Sequence, residues 1–200
     1  MLSKLGFAAV AVAALLLSSV RPAAAQSGGF CQLSGTANIN PGLTNTDGTF
    51  IFTFSGALSS CQSNVPSAPT DGTITVGQVI VVNGLQAQEP AATGSGSCAS
   101  SSGSGIAIAS WNDGTTTVAS FTTQAVGGAV NLAGNVVAGV TLPVINPQPG
   151  QPTTVTVTTT RYVGDQLQGA VAFQADPSQC AGSGVTSPTV SGAVGIGAAQ

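Results

Sequence analysis

The sequence predicts an all-β domain: an antiparallel barrel or barrel-like sandwich of about nine strands, held by two disulfides and preceded by a cleavable signal peptide. Three observations carry this expectation. Apolar residues alternate at period two and nowhere repeat at helical spacing. Thr, Val, Gly and Ser dominate the chain. Four cysteines follow a segment that reads as an export signal.

That segment is residues 1–25. Lys4 gives a positive start, Leu5 to Val20 is an apolar run, and Ala23-Ala24-Ala25 places small residues where a signal peptidase cuts. The run is short for a hydrocarbon core ~30 Å thick, which argues against a retained anchor. The bulky Phe30 before Cys31 does not suit lipidation of that thiol. The expected mature chain is therefore residues 26–200, one secreted domain, released or held loosely at the cell wall.

Along that chain, Phe50, Phe52 and Phe54 fall on one face of a strand, with Ile51, Thr53 and Ser55 on the other. Thr73 to Val76 alternates likewise. Asn83-Gly84 fits a tight turn between Val79–Val82 and Leu85–Gln88. Ile106 to Trp111, then Asn112-Asp113-Gly114, then Thr115 to Thr123 reads as a hairpin. Thr153 to Thr159 is a β-branched strand. Pro66 to Gly72, Gly94 to Gly105 and Pro143 to Pro152 read as loops. A short pattern of hydrophobe, spacer, Gly, spacer, hydrophobe recurs at Gly35, Gly56, Gly134, Gly169 and Gly192. Glycine weakens a strand, so five such cases imply sharp coiling, as at barrel corners.

The segments Cys31 to Asn38, Trp111 to Val118 and Thr159 to Tyr162 resemble a group of small secreted actinobacterial proteins with no established activity. The resemblance implies export and a β fold and brings no catalytic residue. The acidic, Ala/Gly/Thr-rich, two-disulfide character is also similar to that of secreted antibiotic-binding chromoproteins, without a motif match.

Cys31, Cys61, Cys98 and Cys180 are expected to form two disulfides. Cys31 and Cys61 are centred on the turn-forming Asn45 to Gly48, so the preferred pairing is Cys31–Cys61 with Cys98–Cys180. The second pair carries a difficulty: five strands counted between its members would put them at opposite ends of a simple up-and-down fold. No His and no Cys-x-x-Cys spacing supports zinc, and no EF-type spacing supports calcium, so no metal or cofactor is expected.

Residues 26–200 carry six acids and one base, Arg161, for a net charge of −5. One Arg cannot displace counterions from a phosphate backbone, so nucleic acid is excluded as a partner, as is an anionic membrane surface. Without His or Lys, no Ser or Thr hydroxyl has a partner base, and no enzyme is expected. Asp47, Asp71 and Asp113 precede Gly, Asp176 and Glu89 precede Pro, and all read as turn or loop residues. Trp111, Arg161 and Tyr162 are the candidate ligand contacts, with Arg161 otherwise pairing with Asp165 or Asp176 or donating to a loop carbonyl.

Two functions follow. One is a non-catalytic structural or interaction protein of the cell exterior, with a filled interior. The other is a carrier for a small apolar molecule inside the barrel, which calls for a cavity of roughly 300–1,000 Å³ lined by Phe and Val.

Overall fold

A computed structural model describes residues 28–197; the expected signal peptide lies outside them. The elements are β1 (Gly28–Asn40), β2 (Gly48–Ser63), β3 (Gly72–Val76), β4 (Val79–Val82), β5 (Leu85–Gln88), β6 (Ala92–Gly96), β7 (Ser100–Trp111), β8 (Thr116–Val126), β9 (Ala129–Val137), β10 (Gly139–Pro143), β11 (Thr154–Thr158), β12 (Gln166–Gln174), α1 (Pro177–Ala181) and β13 (Thr189–Gly197). Strands β1, β13, β12, β9, β8, β7, β3 and β2 pair in that order, and β2 returns to β1. All these pairings are antiparallel and close an eight-stranded barrel, which removes the open edges of a flat sheet.

One wall position is shared. β3 pairs with Phe54 to Leu58 of β2, and β6 pairs with Gly48 to Phe52 of the same strand. β7 repeats this division on the other side. β3 and β6 therefore run end to end as one strand, from which residues 77–91 leave and return.

Alternation sorts the side chains. Leu33, Ala37 and Ile39 of β1, Phe50 and Phe54 of β2, Leu167 and Val171 of β12 and Val190 of β13 are buried in the barrel core, with Phe52 packed against it. Burying each large side chain stabilises by roughly 1.5–3 kcal/mol. The recurrent glycines sit in the same inward register. Gly35 of β1 and Gly56 of β2 are directly opposite one another. A Cβ on Gly35 would lie 2.6 Å from the Gly56 Cα and 2.6 Å from the Phe54 ring, and would run into the Ser55 carbonyl oxygen. Phe54 thus covers a glycine pair over which two strands close tightly, a device that bends a sheet into a barrel.

The stretch from Gly94 to Gly105 is mostly a hairpin, where the sequence suggested a loop. Thr93 to Gly96 of β6 pair with Ser101 to Ser104 of β7. Small residues are required there because neighbouring rings fill the space: Phe50 lies against Gly94, Phe52 against Gly103 and Phe121 against Gly105. The short helix α1 was also not anticipated. Asp176 caps it by accepting from the Ser178 N–H, with Pro177 at the first turn, a start signal readable from Asp-Pro.

The β4–β5 and β10–β11 hairpins form a second layer outside the barrel. Ala87, Leu142 and Val157 pack there against Ile108 of β7 and Val118 of β8. The turn at Asn83-Gly84 falls where expected, both residues having positive φ (52° and 79°).

Glu89 lies in the loop between β5 and β6, as expected, but it is buried there, 1% exposed. Its carboxylate accepts from the Thr75 hydroxyl (2.6 Å) and the Gln78 N–H (3.0 Å), fastening the excursion to the wall. Burial raises its pKa, against those two hydrogen bonds. The folded state then holds a proton that the unfolded state has released, so stability falls as pH rises from the ordinary glutamate range through the raised value. Glu89→Gln removes this term. The melting-temperature difference between variant and wild type should shift in the variant's favour as pH rises from about 4 to 7; a pH-independent difference would refute this account.

Both disulfides form as preferred: Cys31–Cys61 and Cys98–Cys180. The difficulty over the second pair disappears because six strands, β7 to β12, separate its members rather than five. Two of the six form the outer hairpin, and the four left in the wall bring the chain back to the same end.

Candidate functional site

The barrel is stoppered at the end where β1 finishes. Leu43 bridges Val185, the Cys98 N–H bonds to the Thr44 carbonyl, and the Asn45 N–H bonds to the Cys180 carbonyl. The Cys98–Cys180 disulfide ties these loops together. At the opposite end lie the Cys31–Cys61 disulfide, Phe30, Trp111, Tyr162 and the 64–71 connection.

Between the ends is a cavity of about 130 Å³. Phe50, Phe52, Phe54, Phe121, Trp111 and Tyr162 contribute rings to its lining, and no Asp, Glu, Lys or Arg lines it. The exposed members of the lining, Phe30 and Gln62, lie at the Cys31–Cys61 end and mark its approach to solvent.

The three residues singled out from the sequence come together at this end. Trp111 and Tyr162 meet edge to face, with ring centroids 6.0 Å apart. Trp111 donates its indole N–H to the Thr117 hydroxyl, which donates to the Arg161 carbonyl. Arg161 stands outside the lining, its guanidinium carbon 5.8 Å from the Tyr162 ring centre. It pairs with Asp113 (2.7 Å), neither Asp165 nor Asp176, and also donates to the Ser67 carbonyl and the Thr115 hydroxyl. The reason is topological: Thr160 bonds to Thr116, so the 159–161 segment runs beside the start of β8 and the preceding turn that carries Asp113. Arg161 thereby joins three connections around the rim. Two of them carry left-handed non-glycine residues, Ser67 (φ 56°) and Tyr162 (φ 67°), a costly backbone state that the surrounding contacts must hold.

The carboxylates are placed as structural groups. Hydrogen bonds from Thr115, with the charge of Arg161, keep Asp113 below the usual aspartate range, and bonds from Ser178 do the same for Asp176. Burial raises Asp165. Among the described residues, no three His, Cys, Asp or Glu side chains gather as metal ligands.

The carrier expectation of a lining of Phe and Val is met by Phe50, Phe52, Phe54, Phe121, Val130 and Val171, whereas the alanines of β7 and β8 were not assigned to a site. Their period-two stripe was visible, but a stripe marks a core equally well. Comparison with protein-family models, curated proteins and solved structures finds no match to the chain.

Proposed function

We propose that this domain is a non-catalytic binding protein of the cell exterior that carries a small apolar molecule inside its barrel. The cavity carries the reading: it is apolar, free of charged groups and approached from one end. At about 130 Å³ it is close to an engineered 150 Å³ cavity that stays dry and takes benzene or xenon. It falls short of the 300–1,000 Å³ attached to a carrier on sequence grounds, so the cargo is small. Export rests on residues 1–25 and on two disulfides, which persist in oxidising surroundings. A non-catalytic role rests on the absence of His and Lys from residues 26–200.

A structural or interaction role is the second reading, favoured by β4. Val79 and Val81 are 51% and 69% exposed, and among the described strands only β5 pairs with this edge strand.

Native mass spectrometry of the protein purified from its producing culture separates the two. The carrier reading expects an added mass that disappears on denaturation. The bare chain mass alone, before and after exposure to an apolar extract of that culture, would overturn it.

A further inference from the structure

We infer that the cargo is an uncharged molecule built on a single aromatic ring; this rests on the binding reading above and narrows it. Size comes first. A cavity of about 130 Å³ accepts one six-membered ring with at most a small substituent and leaves no room for a fused second ring.

Charge comes second. A carboxylate or ammonium drawn into the lining would lose its water and find no counter-charge there. Arg161 is the only Lys or Arg among residues 28–197, and its guanidinium is already committed to Asp113, Ser67 and Thr115 outside the cavity. A charged head group would have to stay in water at the Phe30 and Gln62 end, and the cavity behind it, about 130 Å³, has no room for a long acyl chain.

Shape comes third. Phe52 stands between Phe50 and Phe121, with centroid distances of 6.1 and 6.3 Å and tilts of 45° and 59°. These lie in the range of favourable tilted ring contacts. The alanines of β7 and β8 that share the lining, Ala107 and Ala119 among them, leave the space that larger side chains would fill. A flat ring can extend the phenylalanine series against these small side chains. The Thr117 hydroxyl, also in the lining, already accepts from the Trp111 indole and donates to the Arg161 carbonyl, which leaves it one lone pair and no proton for a ligand.

The test is methyl-detected NMR of the intact oxidised protein with xenon, toluene, benzoate and naphthalene. Xenon and toluene should shift the Ala107 and Ala119 methyl signals. Benzoate, the same ring with a charge, should bind about 100-fold more weakly than toluene, or less. Naphthalene should bind about tenfold more weakly than toluene. Benzoate binding comparable to toluene, or naphthalene binding more tightly, would overturn the ligand class and leave the binding reading standing. No response to either xenon or toluene would overturn both. Ala119→Leu should abolish the toluene response, and an unchanged response would place the site elsewhere. Should that variant not fold, wild-type shifts confined to lining methyls support the interior site, and shifts confined to other residues refute it.

Discussion

Serine at both Cys98 and Cys180 should destabilise the oxidised domain by about 4.5 kcal/mol. The bridge spans 82 residues, and the chain-entropy model assigns that loss to the freedom it removes from the unfolded chain. Cys31–Cys61, spanning 30, should contribute about 3.6 kcal/mol in the same model. For a domain of this length, 1 kcal/mol moves the melting temperature by about 2–4 °C, so loss of Cys98–Cys180 should lower it by about 9–18 °C. The order matters more than the size. The longer bridge also organises the stopper made by Leu43, Thr44 and Asn45, whereas Cys31–Cys61 joins strands already paired by backbone bonds. Denaturant midpoints of the two double variants check this; a larger loss from removing Cys31–Cys61 would contradict it.

Gly35→Val should cost about 3 kcal/mol or more, at or beyond the upper end for an overpacked interior. The added carbon meets the backbone of Gly56 and Ser55, which cannot move without parting β1 from β2, and it also strikes Phe54. Gly48 provides the control, because a Cβ there meets nothing within 4 Å. Valine at Gly48 should be neutral, or stabilising by about 0.5 kcal/mol through reduced freedom of the unfolded chain. Urea unfolding of both variants measures the contrast. Equal effects at the two positions would show that the Gly35–Gly56 approach does not shape the wall.

Much of the architecture was legible because strand patterning is local. Phe50, Phe52 and Phe54 face one way as their spacing requires, and Asn83-Gly84 turns where its chemistry demands. The cysteine pairs followed from symmetry about a turn. What escaped notice depends on contacts far apart in sequence. Ser100 to Ser104 carries no strand signal until Phe50, Phe52 and Phe121 arrive from other strands to occupy the space above its neighbouring glycines. Glu89 is the loop acid it reads as, but its burial depends on Thr75 and Gln78, which the sequence does not bring to it. Arg161 finds Asp113, 48 positions away, because the 159–161 segment lies along β8. Trp111 and Tyr162 could be nominated as ligand contacts, but their meeting at one end of a cavity required the sheet to close.

The shared wall position has a consequence for how length can vary here. Opposite β2, Val76 faces Phe54 and Ala92 faces Phe52, so the two wall residues stand only two steps apart. At about 3.3 Å per residue that gap is roughly 7 Å, which one bridging residue spans. Everything from Gly77 to Ala91 is thus an insertion between two halves of one wall strand, and a shorter or longer segment at this splice point would leave the barrel closed, provided that it still covers Ile108 and Val118 as Ala87 does.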